Sequence, residues 1–332
     1  MQAMVLDAPG PVEEAPLRFR TLPRPDPGPG ELLLRVEACA VCRTDLQLVE
    51  GELGLRRPSI TPGHQIAGTV EAIGEGVSGW APGDIAGAGW LAEACGHCRF
   101  CDSGRENLCL SARFTGWDRD GGYAEYACAR ADFALPLPPG LEPVAAAPLL
   151  CGGVIGYRAL KRSGIQAGGR LGLFGYGASA HLALQVARHW GCDTYVFTRS
   201  EREQARALAT GAKWAGSYDA SPGVALDAAV TFAPVGDVVV SALNAVERGG
   251  VVAINAIHLD RIPQFSYDLL WGERELRSVA NFTRQDAHEF LRLAAEIPVR
   301  TQAHVFPLPA ANEALQGLKA GRLEGTAVLL PR

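Results

Sequence analysis

The 332-residue sequence predicts an α/β protein made of two parts, a β-rich domain and a doubly wound parallel sheet. Three observations predict it. Up to about residue 150, short apolar runs are broken by Gly and Pro, the punctuation of strands and turns. From Gly152 onward, apolar runs of strand length alternate with runs of helical period. Residues 285–332 return to mixed patterning, so the β-rich domain is read as 1–152 plus 285–332, and the parallel sheet as 153–284.

In the first domain ELLLRVEACAV (31–41) reads as a strand, QIAGTVEAIGEGV (65–77) alternates like a second, and GGYAEYACA (121–129) gives a third. In the second, RLGLFG (170–175) is a short apolar strand followed by the helix ASAHLALQVARHWG, with Gly191 as its stop. DTYVFT is the next strand. EREQARALATG follows as a helix, ALDAAVTFAP as a strand, DVVVSALNAVERGG (237–250) as a helix and VVAIN as a strand. The tail carries two further helices, DAHEFLRLAAEI and ANEALQGLKAG, with VFPLP between them and TAVLLP at the end.

Four cysteines, Cys95, Cys98, Cys101 and Cys109, lie in a polar loop with the spacing C-x2-C-x2-C-x7-C. Four thiolates so close together make a closed tetrahedral site for structural Zn(II), and the lobe 95–109 gains folding energy from it. An iron–sulfur run would close with C-x3-C-P, which this one does not. Disulfides need an oxidising compartment. MQAMVLDAPG is no secretion signal, so the nine cysteines read as metal ligands and buried thiols in a reducing cytoplasm.

A net charge of -5 without a basic cluster excludes nucleic acid and anionic membranes as partners. The longest apolar stretch, 144–157, is broken by Pro148, Gly152, Gly153 and Gly156 and is too short to span a bilayer.

Gly175, Gly177 and Ala180 follow a strand and open a helix as a G-x-G-x-x-A dinucleotide fingerprint. Gly175 allows the tight turn, Gly177 lets backbone approach a pyrophosphate, and Ala180 permits close helix–strand packing. The next strand ends in Phe197-Thr198-Arg199-Ser200, where an NAD enzyme usually carries Asp or Glu. Two hydroxyls and a guanidinium could bind a 2′-phosphate instead, so NADP(H) is expected over NAD(H). The alternative for Arg199 is a solvated first-turn residue.

Cys42 in ACAVCRTDL, His64 in TPGHQ and Cys151 in APLLCGGVIGYRAL complete the picture. With the four-cysteine lobe, the Gly-x-Gly turn and the GRLEGTAVL tail, the chain resembles the zinc-dependent medium-chain alcohol dehydrogenases, nearest their cinnamyl-type or broad-specificity bacterial branch. The resemblance implies a GroES-like catalytic domain beside a Rossmann domain. It implies that Cys42, His64 and Cys151 hold a catalytic zinc, a second zinc per chain, which acts as a Lewis acid toward a substrate oxygen. Asp45 matches the carboxylate that orients His64, and Thr44 the hydroxyl that takes the alcohol proton.

Two positions depart from the family pattern. Gln65 stands where many members have a Glu that touches zinc transiently; it could offer a carbonyl oxygen but no charge. Gln47 replaces a proton-exporting histidine and cannot titrate. The resemblance further implies that Arg43 and Arg284 contact the cofactor, that Ile155, Asn255 and Ile257 flank the nicotinamide, and that Leu48, Trp90, Trp117 and Ile257 line the substrate pocket. Trp90 is otherwise an ordinary packing residue. Large aromatics there favour primary, apolar or aromatic alcohols. The expected activity is reversible oxidation of alcohols to aldehydes or ketones with NAD(P), in a homodimer or homotetramer. The rivals are a zinc-free quinone reductase, a polyol dehydrogenase and a non-catalytic nucleotide-sensing zinc protein.

Overall fold

The strand Glu31–Ala40 buries seven of its ten residues, with Glu31, Arg35 and Glu37 as its partly exposed charged positions. It pairs antiparallel with Ile66–Ile73 along one edge. Its first half also meets Tyr126–Arg130, and its end meets Thr326–Leu330. The computed structural model describes residues 1–256, 259–297 and 299–331. They divide into two units, Met1–Cys151 with Asn281–Ala295 and Arg300–Arg332, and Gly152–Ala280 with Glu296–Val299.

In the first unit, a seven-stranded sheet runs Ala303–Pro307, Thr326–Leu330, Glu31–Ala40, Ile66–Ile73, Ile85–Ala88 and Leu135–Pro136, with Tyr126–Arg130 on Glu31–Ala40. Leu32, Leu34, Val36, Ile66 and Val70 fill its core together with Leu6, Leu46 and Leu48. The segment 121–129 is a regular strand only from Tyr126. Before that, Gly121, Gly122 and Tyr123 donate their N–H groups to Thr61, Gly63 and Pro62 carbonyls. Backbone that the alternation assigned to a ladder is spent on holding the 61–63 loop.

In the second unit, six strands lie in the order Trp214–Gly216, Asp193–Phe197, Arg170–Phe174, Leu226–Thr231, Val246–Ile254 and Glu275–Ser278. Every pairing is parallel. Numbered along the chain this is the order 3-2-1-4-5-6, the doubly wound Rossmann arrangement. Phe174 and Phe197 sit opposite each other in register, rings stacked at 4.1 Å, and Trp214 continues the row. Such pairs are worth about 0.5–1.5 kcal/mol beyond their buried area, which explains aromatics at the ends of adjacent strands.

The helix expected over 237–250 is shorter: Gly236–Ala245 is helical and Val246 already belongs to the next strand. Val246 pairs with Leu226, and the register then shifts before Val251 pairs with Ala228. Glu247–Gly250 form the irregularity between, with Gly249 at φ 73°, a conformation glycine adopts without strain. Among the described residues no single helix is long and apolar enough to cross a membrane.

Candidate functional site

Cys42 caps the helix Arg43–Glu50 in extended conformation, and Asp45 lies one turn in. Asp45 Oδ2 accepts the Cys42 backbone N–H at 2.9 Å, and Asp45 Oδ1 faces His64 Nδ1 at 3.1 Å. One carboxylate therefore fixes two segments that are remote in sequence, one oxygen for each. A carboxylate can only accept here, so Nδ1 carries a proton toward Asp45 and Nε2 is the nitrogen left to face a metal. Nε2 points at Cys42 Sγ, 3.3 Å away. The ligand atoms of Cys42, His64 and Cys151 all lie within 4.8 Å of one another. Zinc with bonds of about 2.3 Å to sulfur and about 2.0 Å to nitrogen needs S···N separations of about 3.5 Å, so the donor set fits zinc.

His64 is 1% exposed and Asp45 2%. Burial pushes the imidazole down, but the Asp45 carboxylate and the Cys42 sulfur outweigh it and lift its pKa to about 10. The hydrogen bond to Cys151, then burial, raise the Cys42 thiol well above its ordinary value. A cation entering here must displace these protons. The loop before His64 is held by glycines. Gly63 has φ 95°, and a Cβ there would lie 2.3 Å from the Tyr123 ring; one on Gly121 would lie 2.0 Å from the Gly63 carbonyl oxygen.

Cys95, Cys98, Cys101 and Cys109 form the second cluster, also within 4.8 Å. Sulfur separations of 3.9 Å (Cys95–Cys101) and 3.6 Å (Cys98–Cys101) bracket the roughly 3.8 Å of a tetrahedral ZnS4 site. Backbone N–H groups, that of Cys101 first, hold the Cys98 pKa down to about 6, so a thiolate is available at neutral pH. Cys109 lies at the end of the turn Glu106–Leu108. His97 is exposed, its Nδ1 2.7 Å from the Cys95 carbonyl oxygen.

The other expected residues separate. Thr44 and Gln47 are buried on the helix Arg43–Glu50, and Arg43 is exposed at its start. Gln47 Nε2 donates to Glu52 Oε2 at 3.0 Å. Gln65 is buried and its amide nitrogen donates to the Ala40 carbonyl at 3.2 Å. Leu48 is buried and packs in the core cluster with Leu46, Val49 and Leu6. Trp90 stands edge-on to His64 at 4.9 Å and stacks on Phe114 at 5.1 Å and Trp117 at 5.8 Å. Arg56 covers the outer face of Trp117 at 3.5 Å, and Asp118 holds its guanidinium at 3.0 Å. Phe114, Arg56 and Glu52 escape a motif search, since no spacing rule marks a stacking partner.

Arg284 has a partner that no spacing marks. Its backbone N–H and Nε both donate to Glu106 Oε1, at 2.8 and 3.3 Å, and its guanidinium lies over Phe133. A buried carboxylate must be paired, and Glu106 in the cysteine lobe claims this arginine. It therefore acts as an anchor between the lobe and the helix Arg284–Glu296.

In the parallel-sheet unit Gly175 has φ 91°, and a Cβ on it would sit 2.9 Å from the Ala233 nitrogen. A Cβ on Gly177 would meet nothing within 4 Å, and Gly177 caps the helix Ala178–His189, so open space faces its N–H groups. Ala180 is fully buried. This loop lies between the first and fourth strands, where the strand order reverses and ligands bind. Thr198 is buried, with its carbonyl taken by Gln204, while Arg199 and Ser200 are exposed. Ser200 caps the helix Glu201–Thr210 by accepting from the Glu203 N–H at 3.3 Å. Ile155 is half-buried on the helix Gly152–Ser163, and Asn255 follows the strand Val246–Ile254. Ile257 lies outside the described residues.

Comparison with known proteins agrees with this geometry. Residues 28–139 match the alcohol dehydrogenase GroES-like domain. "Probable alcohol dehydrogenase AdhA" of Mycobacterium tuberculosis is 46% identical over 99% of this chain and 97% of its own length. An alcohol dehydrogenase of Geobacillus stearothermophilus is 33% identical over 95% of this chain and 96% of its own. The cobalt- and zinc-bound thermostable alcohol dehydrogenase of Pyrobaculum aerophilum superposes with a TM-score of 0.90 at 26% identity, covering 100% of this chain and 99% of that one. Both of the chain's units, its two cysteine-bearing clusters and these full-length likenesses lead to one assignment: the chain belongs to the zinc-dependent medium-chain alcohol dehydrogenases.

Proposed function

We propose that the protein interconverts alcohols and aldehydes or ketones with a nicotinamide cofactor, using one zinc for chemistry and one for structure. The observation that carries this reading is Asp45, which orients Cys42 and His64 at once beside Cys151. Zinc held by Cys42, His64 and Cys151 supplies Lewis acidity toward the substrate oxygen, and NAD(P) supplies the hydride partner. The protein's own residues do the rest. Thr44 offers the hydroxyl that takes the alcohol proton. Gln47 passes no proton itself but orders the water that does, because Glu52 fixes its amide. Gln65 is tied to Ala40 and serves as a buried spacer; it is not a standing ligand.

NADP(H) is the favoured cofactor in this reading. No carboxylate stands at Thr198–Ser200, and Arg199 is exposed at a helix N-terminus capped by Ser200. Gly175, Gly177 and Ala180 hold the pyrophosphate, with Arg43, Ile155 and Asn255 as further cofactor contacts. Trp90 beside His64, continued by Phe114 and Trp117, supports primary, apolar or aromatic substrates. All nine cysteines are free thiols, in keeping with a cytoplasmic setting. Leu110, Tyr267 and Trp271 are large apolar side chains left open, which supports assembly into a dimer or tetramer.

Zinc content per chain, measured with a panel of alcohols and aldehydes against both cofactors, tests the whole reading. Two zincs and NADP-preferring turnover are expected. One zinc, or no turnover, overturns it.

A further inference from the structure

Tyr123 is 0% exposed, the bulkiest fully buried side chain of its unit, and its position is fixed from three sides. Its N–H donates to the Pro62 carbonyl at 3.0 Å, and its carbonyl accepts the Met4 N–H at 2.8 Å. Its ring covers Gly63, the residue before His64, so closely that a Cβ there would lie 2.3 Å from Cδ1; Cys39 Sγ closes the other side of the same glycine. The phenol oxygen makes no hydrogen bond of full geometry, yet Asp45 lies within its hydrogen-bonding reach. Burial first, and then the neighbouring Asp45, Cys39 and Cys42, keep the phenol protonated, so it is a donor facing acceptors.

Among these acceptors Asp45 is the strongest. Its two oxygens offer about four lone-pair sites, of which the Cys42 N–H and the His64 ring use two. A buried hydroxyl without a partner is rare, and Asp45 is the carboxylate within reach of this one. We propose that Tyr123 is a positioning residue whose hydroxyl supplies the third hydrogen bond to Asp45 and so sets how tightly the Cys42–His64–Cys151 site holds its metal. The proposal rests on reading those three residues as a zinc site. A carboxylate held by three donors cannot swing, and this keeps the imidazole oriented with Nε2 aimed at the cation.

The test is Tyr123→Phe, which keeps the ring over Gly63 and removes only the oxygen. Zinc loss from each site is followed in a chelator titration, and the d–d spectrum is recorded with cobalt(II) in place of zinc. The expected result is a dissociation constant about 10-fold weaker at the Cys42 site with a shifted cobalt spectrum, and unchanged zinc at the four-cysteine site. In an Asp45→Asn background, Tyr123→Phe should add nothing, because its effect runs through Asp45. Equal affinity and an identical cobalt spectrum in Y123F and wild type overturn the proposal while the zinc-site reading stands. A wild type that binds one zinc, with the same stoichiometry in Cys42→Ser, overturns the zinc-site reading and the proposal together.

Discussion

Gln47 gives its side-chain amide to the Glu52 carboxylate at 3.0 Å, from a buried helix to an exposed loop. Because a carboxylate only accepts, the NH2 end must face Glu52 and the amide oxygen must face the protein. The contact orients a polar group without adding a titrating one. Between pH 5 and 8 kcat for alcohol oxidation should therefore be nearly flat. Gln47→His should introduce a rise in kcat centred above about 6.5, since the Glu52 carboxylate favours the charged imidazole. Stopped-flow and steady-state pH profiles of both proteins check this. A steep imidazole-like limb already present in the wild type would refute it.

The two cysteine clusters should fail differently. Cys98→Ser removes one thiol of the four-cysteine cluster, in a lobe whose helix Arg99–Asp102 and turn Glu106–Leu108 bury little apolar surface of their own. We expect a loss of about 4 kcal/mol or more in unfolding free energy, with activity lost only as a consequence. Cys42→Ser should leave the unfolding midpoint close to wild type and lower kcat/KM more than about 100-fold. Calorimetry with metal analysis separates them, and a common phenotype would merge the two roles.

Arg199 is exposed at the start of the helix that Ser200 caps. A hydrogen bond to a charged group contributes about 1.5–3 kcal/mol, so Arg199→Ala should cut kcat/KM for NADPH roughly 10- to 100-fold and barely change that for NADH. An equal loss with both cofactors would mean that the guanidinium does not read a 2′-phosphate.

Glu31 opens the central strand and pairs with Arg119, which also reaches Glu93 at the end of the strand Leu91–Glu93. Burial raises the Glu31 carboxyl, but hydrogen bonds from Arg119 and the Gly28 N–H outweigh it and hold its pKa below the ordinary value. A depressed folded pKa gives stability that is present above the unfolded value, about 4.3, and lost as pH falls through the folded one. Glu31→Gln should therefore unfold earlier than wild type at pH 7, and the difference should shrink below about pH 4. Thermal melts across this range decide it; a constant difference would point to packing alone.

Much of this was legible in the residues. Gly175, Gly177 and Ala180 lie where their order on a strand–helix junction put them, because each answers a local backbone demand. The helix Glu201–Thr210 begins at Ser200 and ends at Gly211, as a capping serine and a left-handed glycine require. What spacing could not show is partnership across the fold. Arg284 meets Glu106 at a distance of 178 residues along the chain, and nothing local marks either residue for the other. Leu48 has the character of a pocket wall and of a core residue alike, and only its place on the helix decides. At Ala245–Val246 the strand opens on Val246 and runs at once into Glu247, Arg248 and two glycines, so no apolar alternation marks the change of period.

Thr326–Leu330 hydrogen-bonds beside the last residues of Glu31–Ala40, and Ala327 accepts the Val41 N–H at 2.8 Å, immediately before Cys42. This has a consequence during synthesis. Nearly everything between Cys151 and Thr326 must be translated before that support exists, roughly 10–40 s at ordinary ribosomal rates. The parallel-sheet unit can complete itself in that time, while the first unit waits with the edge of its central strand uncovered. A nascent chain stalled before Thr326 would thus carry a formed Gly175–Gly177 turn in one unit, while Cys42 in the other still lacks its brace. The late step in making this enzyme is the arrival of a strand, and the cell's zinc has to come after it or wait for it.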